Sequence, residues 1–143
     1  MSYFVSKSII TNRCVFVFMC IIVNYSYKVN GQQAVFIAPA SADTMINPLK
    51  DNVKATANGK LTFNTFCYSC HGIKGTGDGA AAAGLEKHPA NFAAATVQAQ
   101  TDGALFWKIY NGNNPMPACK MLSSTQIWEL VNYVRTFGKD IKK

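Results

Sequence analysis

Apolar residues along the chain fall first into one continuous run and later into helix-spaced stretches divided by polar, glycine-rich segments. The run is "CVFVFMCIIV", Cys14 to Val23, closed by Asn24, Ser26 and Lys28. Residues 32–56 then mix Ala, Pro, Asn and Lys without a clear period, which predicts an extended leader. From Asn58, "NGKLTFNTFCYSC" sets Leu61, Phe63, Phe66 and Cys70 at close to helical spacing, so a short helix is predicted to deliver Cys67 and Cys70. Glycines at 72, 75, 77, 79 and 84 and the alanines at 80–83 predict a loop with room for one helical turn. Thr101 reads as an N-cap, Asp102 suits the positive helix end, Leu105, Phe106 and Ile109 share a face, and Gly112 ends the segment. Ser123 and Gln126 make a capping box, with Leu122 and Ile127 placed as its hydrophobic staple. Ile127, Leu130, Val131, Val134 and Phe137 then recur at helical spacing up to Gly138. With no β-rich run, repeat or βαβ alternation, the pattern predicts a small all-α fold.

Composition narrows the class. The 143 residues are 49% apolar and 15% charged, which suits one small globular domain. Lys7 and Arg13 precede the apolar run and no acid occurs before Asp43, the layout of a signal peptide. A membrane span needs about 20 apolar residues, and this run is shorter. Small residues at Val29 and Gly31 place cleavage after Gly31, giving a signal peptide over 1–31, a leader over 32–56 and the functional domain over 57–143. The competing reading keeps the N-terminus as an uncleaved anchor, and membrane association follows only in that case.

Export favours disulfides over zinc thiolates. Of the five cysteines, Cys14 and Cys20 leave with the signal, so Cys67, Cys70 and Cys119 remain, an odd number that argues against a disulfide framework. The net charge of +7 also falls, because 14 bases less Lys7, Arg13 and Lys28, against 7 acids, leaves +4. Dispersed lysines do not make the stripe of a nucleic-acid binder. They read as a solvated surface suited to an acidic protein partner.

"FCYSCHG", Phe66 to Gly72, is the chemical centre of the sequence. Zinc at Cys67, Cys70 and His71 would need a further ligand of comparable spacing, and His88 and Cys119 form no second pair. A redox dithiol normally follows a strand in a βαβ unit, a context the pattern lacks. Covalent haem uses all three residues: thiols at i and i+3 add to the two vinyl groups on one porphyrin edge, and the adjacent imidazole ligates the iron. The opposite axial position has Met45, Met116, Met121 and His88 as candidates. Met116 is best placed, since Pro115 and Pro117 stiffen the backbone on either side of it in "NGNNPMPACK". Met121 reads as core filler and His88 as a solvated loop residue.

Together "CYSCHG", "NGNNPMPAC" and "LSSTQIWELVNYVRTFG" resemble a class I, monohaem cytochrome c of the small exported bacterial kind, over about residues 57–139. The resemblance implies three to four short helices wrapped around one covalently attached haem c, with thioethers at Cys67 and Cys70, His71 as proximal ligand and Met116 as distal ligand. It also implies that Gly59 and Phe63 on the first helix meet Tyr133 on the last, and that the carbonyl of Pro89 accepts from the other nitrogen of His71. Cys119 departs from the pattern, and burial as an inert thiol is the expectation for it. Trp107 and Trp128 are expected in ordinary core.

The function implied is that of a carrier and not an enzyme: one electron moves as the iron cycles between Fe(II) and Fe(III) in a periplasmic respiratory or dehydrogenase-linked chain. An oxidase, reductase or dehydrogenase would be the partner, docking on a rim formed by Lys74, Lys87 and Lys120. The alternatives are a haem enzyme or small-ligand sensor with a labile sixth position, and an electron-relay subunit of a membrane complex.

Overall fold

The computed structural model describes residues 36–139. Six α-helices and one 3-10 turn occur in this span, and the only β pairing among the described residues is an isolated bridge between Asn113 and Met116. The all-α expectation therefore holds, with more helical pieces than the three to four anticipated. Three of them, α2 (Val53–Phe66), α5 (Asp102–Asn111) and α6 (Ser124–Phe137), carry the fold. The others, α1 (Ala40–Asp43), α3 (Tyr68–His71) and α4 (Ala95–Gln98), are four-residue turns.

Helix α6 starts where its local chemistry dictates. The Ser123 hydroxyl accepts from the Gln126 amide, and the Gln126 side chain accepts from the Ser123 amide at 2.9 Å. Leu122 and Ile127, the staple pair, are both buried. Gly138 ends the helix in right-handed conformation, and the Gln98 side chain lies where a Cβ on it would stand.

Helix α2 begins earlier than the apolar pattern suggested, because the Asn52 side chain accepts from the Ala55 amide at 2.9 Å and so caps it at Val53. Its buried residues are Ala55, Gly59 and Phe63, one face at steps of four. Leu61, at 67% exposure, belongs to the other face, contrary to the sequence reading. A Cβ on Gly59 would overlap the backbone carbonyl of Glu129, so α2 and α6 cross almost backbone to backbone. Phe63 fills the crossing with Tyr133 and Phe137 at 5.2 and 5.6 Å between ring centroids. Burying Phe63, Ile127, Leu130 and Val131 contributes about 1.5–3 kcal/mol each. Helix α5 joins this core through Phe106 and Trp128, 4.4 Å apart.

The leader expected over 32–56 requires correction. The compact unit begins at Phe36, and α2 already occupies residues from Val53. Between them Ala42 is buried, and the buried Asn47 donates to Asp102 at 3.0 Å and to Asn132 at 2.9 Å. Asn132 donates in turn to the Leu49 carbonyl at 2.5 Å. The segment folds because these polar groups find one another across the chain, a signal no local period carries. The signal peptide expected over 1–31, with its cleavage point after Gly31, lies outside the described residues. Among the described residues no helix is long and apolar enough to cross a membrane.

Candidate functional site

Helix α2 ends when the Cys67 amide bonds to the Phe63 carbonyl at 2.8 Å, and the chain turns at once into α3. That turn carries Cys67, Cys70 and His71, with both cysteines half-buried free thiols and His71 buried. A glycine-rich return folds back over it: the Gly77 amide bonds the His71 carbonyl at 2.8 Å, and the Gly79 amide bonds that of Cys70 at 3.1 Å. A Cβ at Gly79 would overlap the Ser69 carbonyl, so the loop's glycines serve close approach to the cysteine turn.

The imidazole is held on two sides. Phe92 stacks on it with ring centroids 4.3 Å apart and planes 17° from parallel, and the Phe92 amide is tied to the Gly75 carbonyl at 2.7 Å. Nδ1 lies 3.4 Å from the carbonyl oxygen of Ala90, to which a tautomer protonated at Nδ1 donates. The partner is thus Ala90 and not Pro89. The Pro89 carbonyl is used elsewhere, pressed against Gly77 where a Cβ would stand. Burial pushes the His71 pKa down, against an upward pull from the Ala90 carbonyl, and so favours neutral imidazole. Phe92 and Ala90 were missed in the sequence reading; the "PANF" that follows His88 was their only trace.

Burial pushes the Cys67 thiol up to about 12, with smaller contributions from the neighbouring Cys119 and Cys70. Cys119 packs half-buried against the hydrophobic core, and its own thiol is raised by burial. It is therefore shielded only in part, where burial was expected, and it stands close enough to Cys67 to influence it.

Met116 stands on a separate loop. Gly112, with φ +65°, turns the chain out of α5, and the Asn113 and Met116 backbones exchange hydrogen bonds of 2.9 and 2.8 Å. The Asn114–Pro115 peptide is cis. Met116 is half-buried, as is Pro115, and the loop folds so tightly on Gly112 that a Cβ there would overlap the Ala118 amide. Met121 is 73% exposed, not core filler, because it precedes the α6 staple rather than joining it. His88 is exposed, as anticipated. Trp128 lies in the core, whereas Trp107 is only half-buried and packs on Phe36.

Of the three chemistries, zinc does not form here: among the described residues no group of three or more His, Cys, Asp or Glu is placed to hold a metal ion. The dithiol reading lacks its strand. Haem fits the donor set. His71 keeps Nδ1 within 3.4 Å of the Ala90 carbonyl, and a tautomer protonated there carries on Nε2 the lone pair that a metal needs. A separate cleft of about 960 Å³ along α2 and α6 includes Lys60, Asp102, Asn132 and Arg135, and none of Cys67, Cys70, His71 or Met116 lines it. The Arg135–Asp102 ion pair, at 2.7 Å, lies within its lining.

No curated protein matches the chain. The family model for cytochrome c matches residues 56–138, more than half of the chain, and takes in the cysteine turn, the Met116 loop, α6 and α2 from its fourth residue onward. The chain therefore belongs to the cytochrome c family and carries covalently attached haem c.

Proposed function

We propose that this cytochrome c is a one-electron carrier in which Cys67 and Cys70 form the thioethers, His71 Nε2 is one axial ligand and Met116 sulfur is the other. The observation that carries this reading is the buried His71, directly after the second cysteine, with Nδ1 facing a backbone carbonyl. When bound, the haem iron supplies exchange of one electron between its ferrous and ferric states. The residues supply the setting. Ala90 holds the proton on Nδ1 and leaves the Nε2 lone pair for the metal, while Phe92 fixes the ring plane. The closed turn at Asn113–Met116 fixes the backbone of the thioether donor, and a neutral sulfur favours ferrous iron and occupies the position that small molecules would use.

Residues 1–31 would export the chain and be removed, leaving a periplasmic protein that docks weakly on the acidic surface of an oxidase, reductase or dehydrogenase. The exposed Lys74 and Lys120 support such docking.

The test is the exported, haem-loaded protein and its Met116→Ala variant. The parent should weigh one haem more than the processed polypeptide and show methionine-sulfur absorption in the ferric state. The variant should lose that absorption and fall in midpoint potential. Rapid carbon monoxide binding by the unaltered protein would instead place it among ligand sensors or enzymes.

A further inference from the structure

We infer that residues 36–52, which lie ahead of the family match, are a brace that holds the exit of α5 and through it the loop bearing Met116. The inference rests on the reading of Met116 as axial ligand. The brace touches α5 at its start and again past its middle. At the start, Thr101, the N-cap, donates to Asp43 at 2.6 Å, and the buried Asn47 donates to Asp102 at 3.0 Å. Gly103 is the next residue, and a Cβ there would overlap the Ala42 carbonyl and crowd Met45, so the brace lies directly on the helix backbone. Past the middle of α5 Phe36 packs on Trp107 with centroids 5.8 Å apart, and Lys108 Nζ stands 5.3 Å from the Phe36 ring centroid.

Those two residues lead into the loop. The Trp107 carbonyl accepts from the Asn111 side chain at 2.9 Å, and the Lys108 carbonyl accepts from the Gly112 amide at 2.9 Å. After the Met116 turn the chain is moored back to α5 by the Cys119 amide on the Ile109 carbonyl at 3.1 Å. Both attachments of the loop therefore fall within the last turns of α5, next to the residues that Phe36 holds. A ligand loop fixed in advance pays less ordering entropy when its sulfur meets the metal, and it recaptures the metal faster after a transient release. The brace makes Phe36 a positioning residue for Met116.

The test compares full-length haem-loaded Phe36→Ala with the parent by amide hydrogen exchange and by imidazole binding to the ferric form. Exchange at Gly112, Met116 and Cys119 should accelerate roughly tenfold while Leu130 and Val131 in α6 stay unchanged, and imidazole should bind roughly tenfold faster. Ile37→Ala, altering a neighbour that is 72% exposed, should do neither. Unchanged exchange at the three loop amides overturns the brace, and so does equal acceleration across α6, which would mean general loosening. Absence of methionine-sulfur absorption in the parent refutes the ligand reading alone, and the exchange pattern still decides the brace.

Discussion

His71 and Cys119 show how burial sets chemistry one residue at a time. Both are held from solvent, and in both the neutral form gains: the imidazole pKa moves down and the thiol pKa moves up. For Cys119 the sign has a direct consequence. A thiol whose folded-state pKa lies above its unfolded value contributes stability below the ordinary thiol range and loses it as pH rises through the raised value. The thiolate is the reactive form, so Cys119 in the haem-loaded protein should alkylate slowly at neutral pH. The rate should climb as pH rises through the alkaline range, and denaturant should speed it at any pH. Mass spectrometry of iodoacetamide adducts reads this directly; rapid labelling at neutral pH would show that the thiol is open and available to join chains.

Between elements, the crossing of α2 and α6 depends on a missing side chain. Replacing Gly59 by Ala improves helix propensity by up to about 1 kcal/mol. The added Cβ, however, meets the Glu129 backbone and not the end of a flexible side chain, so the helices must part. Overpacking of this kind costs about 1–3 kcal/mol, and the parted helices would also loosen the contacts of Phe63 with Tyr133 and Phe137. Gly59→Ala should therefore be destabilising in denaturant titration, while Gly84→Ala, whose Cβ would meet nothing within 4 Å, should unfold like the parent. Legibility in the sequence follows the same division between local and distant causes. Thr101, Ser123 and Gln126 act on amides three residues away, so the starts of α5 and α6 could be read from the chain. The thiols and imidazole of the cysteine turn were legible because their chemistry fixes their spacing. Asn47 could not be read, since its partner Asn132 is 85 positions distant. The choice of Ala90 over Pro89 is a one-residue register in a loop, set when Phe92 bonds Gly75 and Pro89 presses on Gly77. No periodicity encodes that.

For the whole molecule the question is whether its positive charge steers partners or only keeps it dissolved. Processing after Gly31 would leave a net +4, a modest excess, so placement must matter more than total. Lys108 is not available for steering, being bonded to Gln100 at 2.5 Å and set over Phe36, with its pKa lowered by burial. Lys74 and Lys120 are exposed, and they follow His71 and Met116 by only a few positions, whereas the equally exposed Lys54 sits at the start of α2. A unit charge about 10 Å from an anion in water contributes roughly 0.4 kcal/mol, so reversing two lysines at that range from an approaching anion would change the encounter by about 1.5 kcal/mol, close to tenfold. Lys74→Glu combined with Lys120→Glu should slow oxidation by a multiply charged anionic iron–cyanide complex by at least about tenfold at low salt. The effect should fade as the Debye length shrinks from about 30 Å at 0.01 M to about 8 Å at 0.15 M salt. A cationic ruthenium complex should respond with the opposite sign. Lys54→Glu removes the same kind of charge from a different place, and it should have a clearly smaller effect per substitution. If Lys54→Glu matches Lys74→Glu with both oxidants, steering comes from net charge alone, and electrons have no preferred entrance beside the cysteine turn.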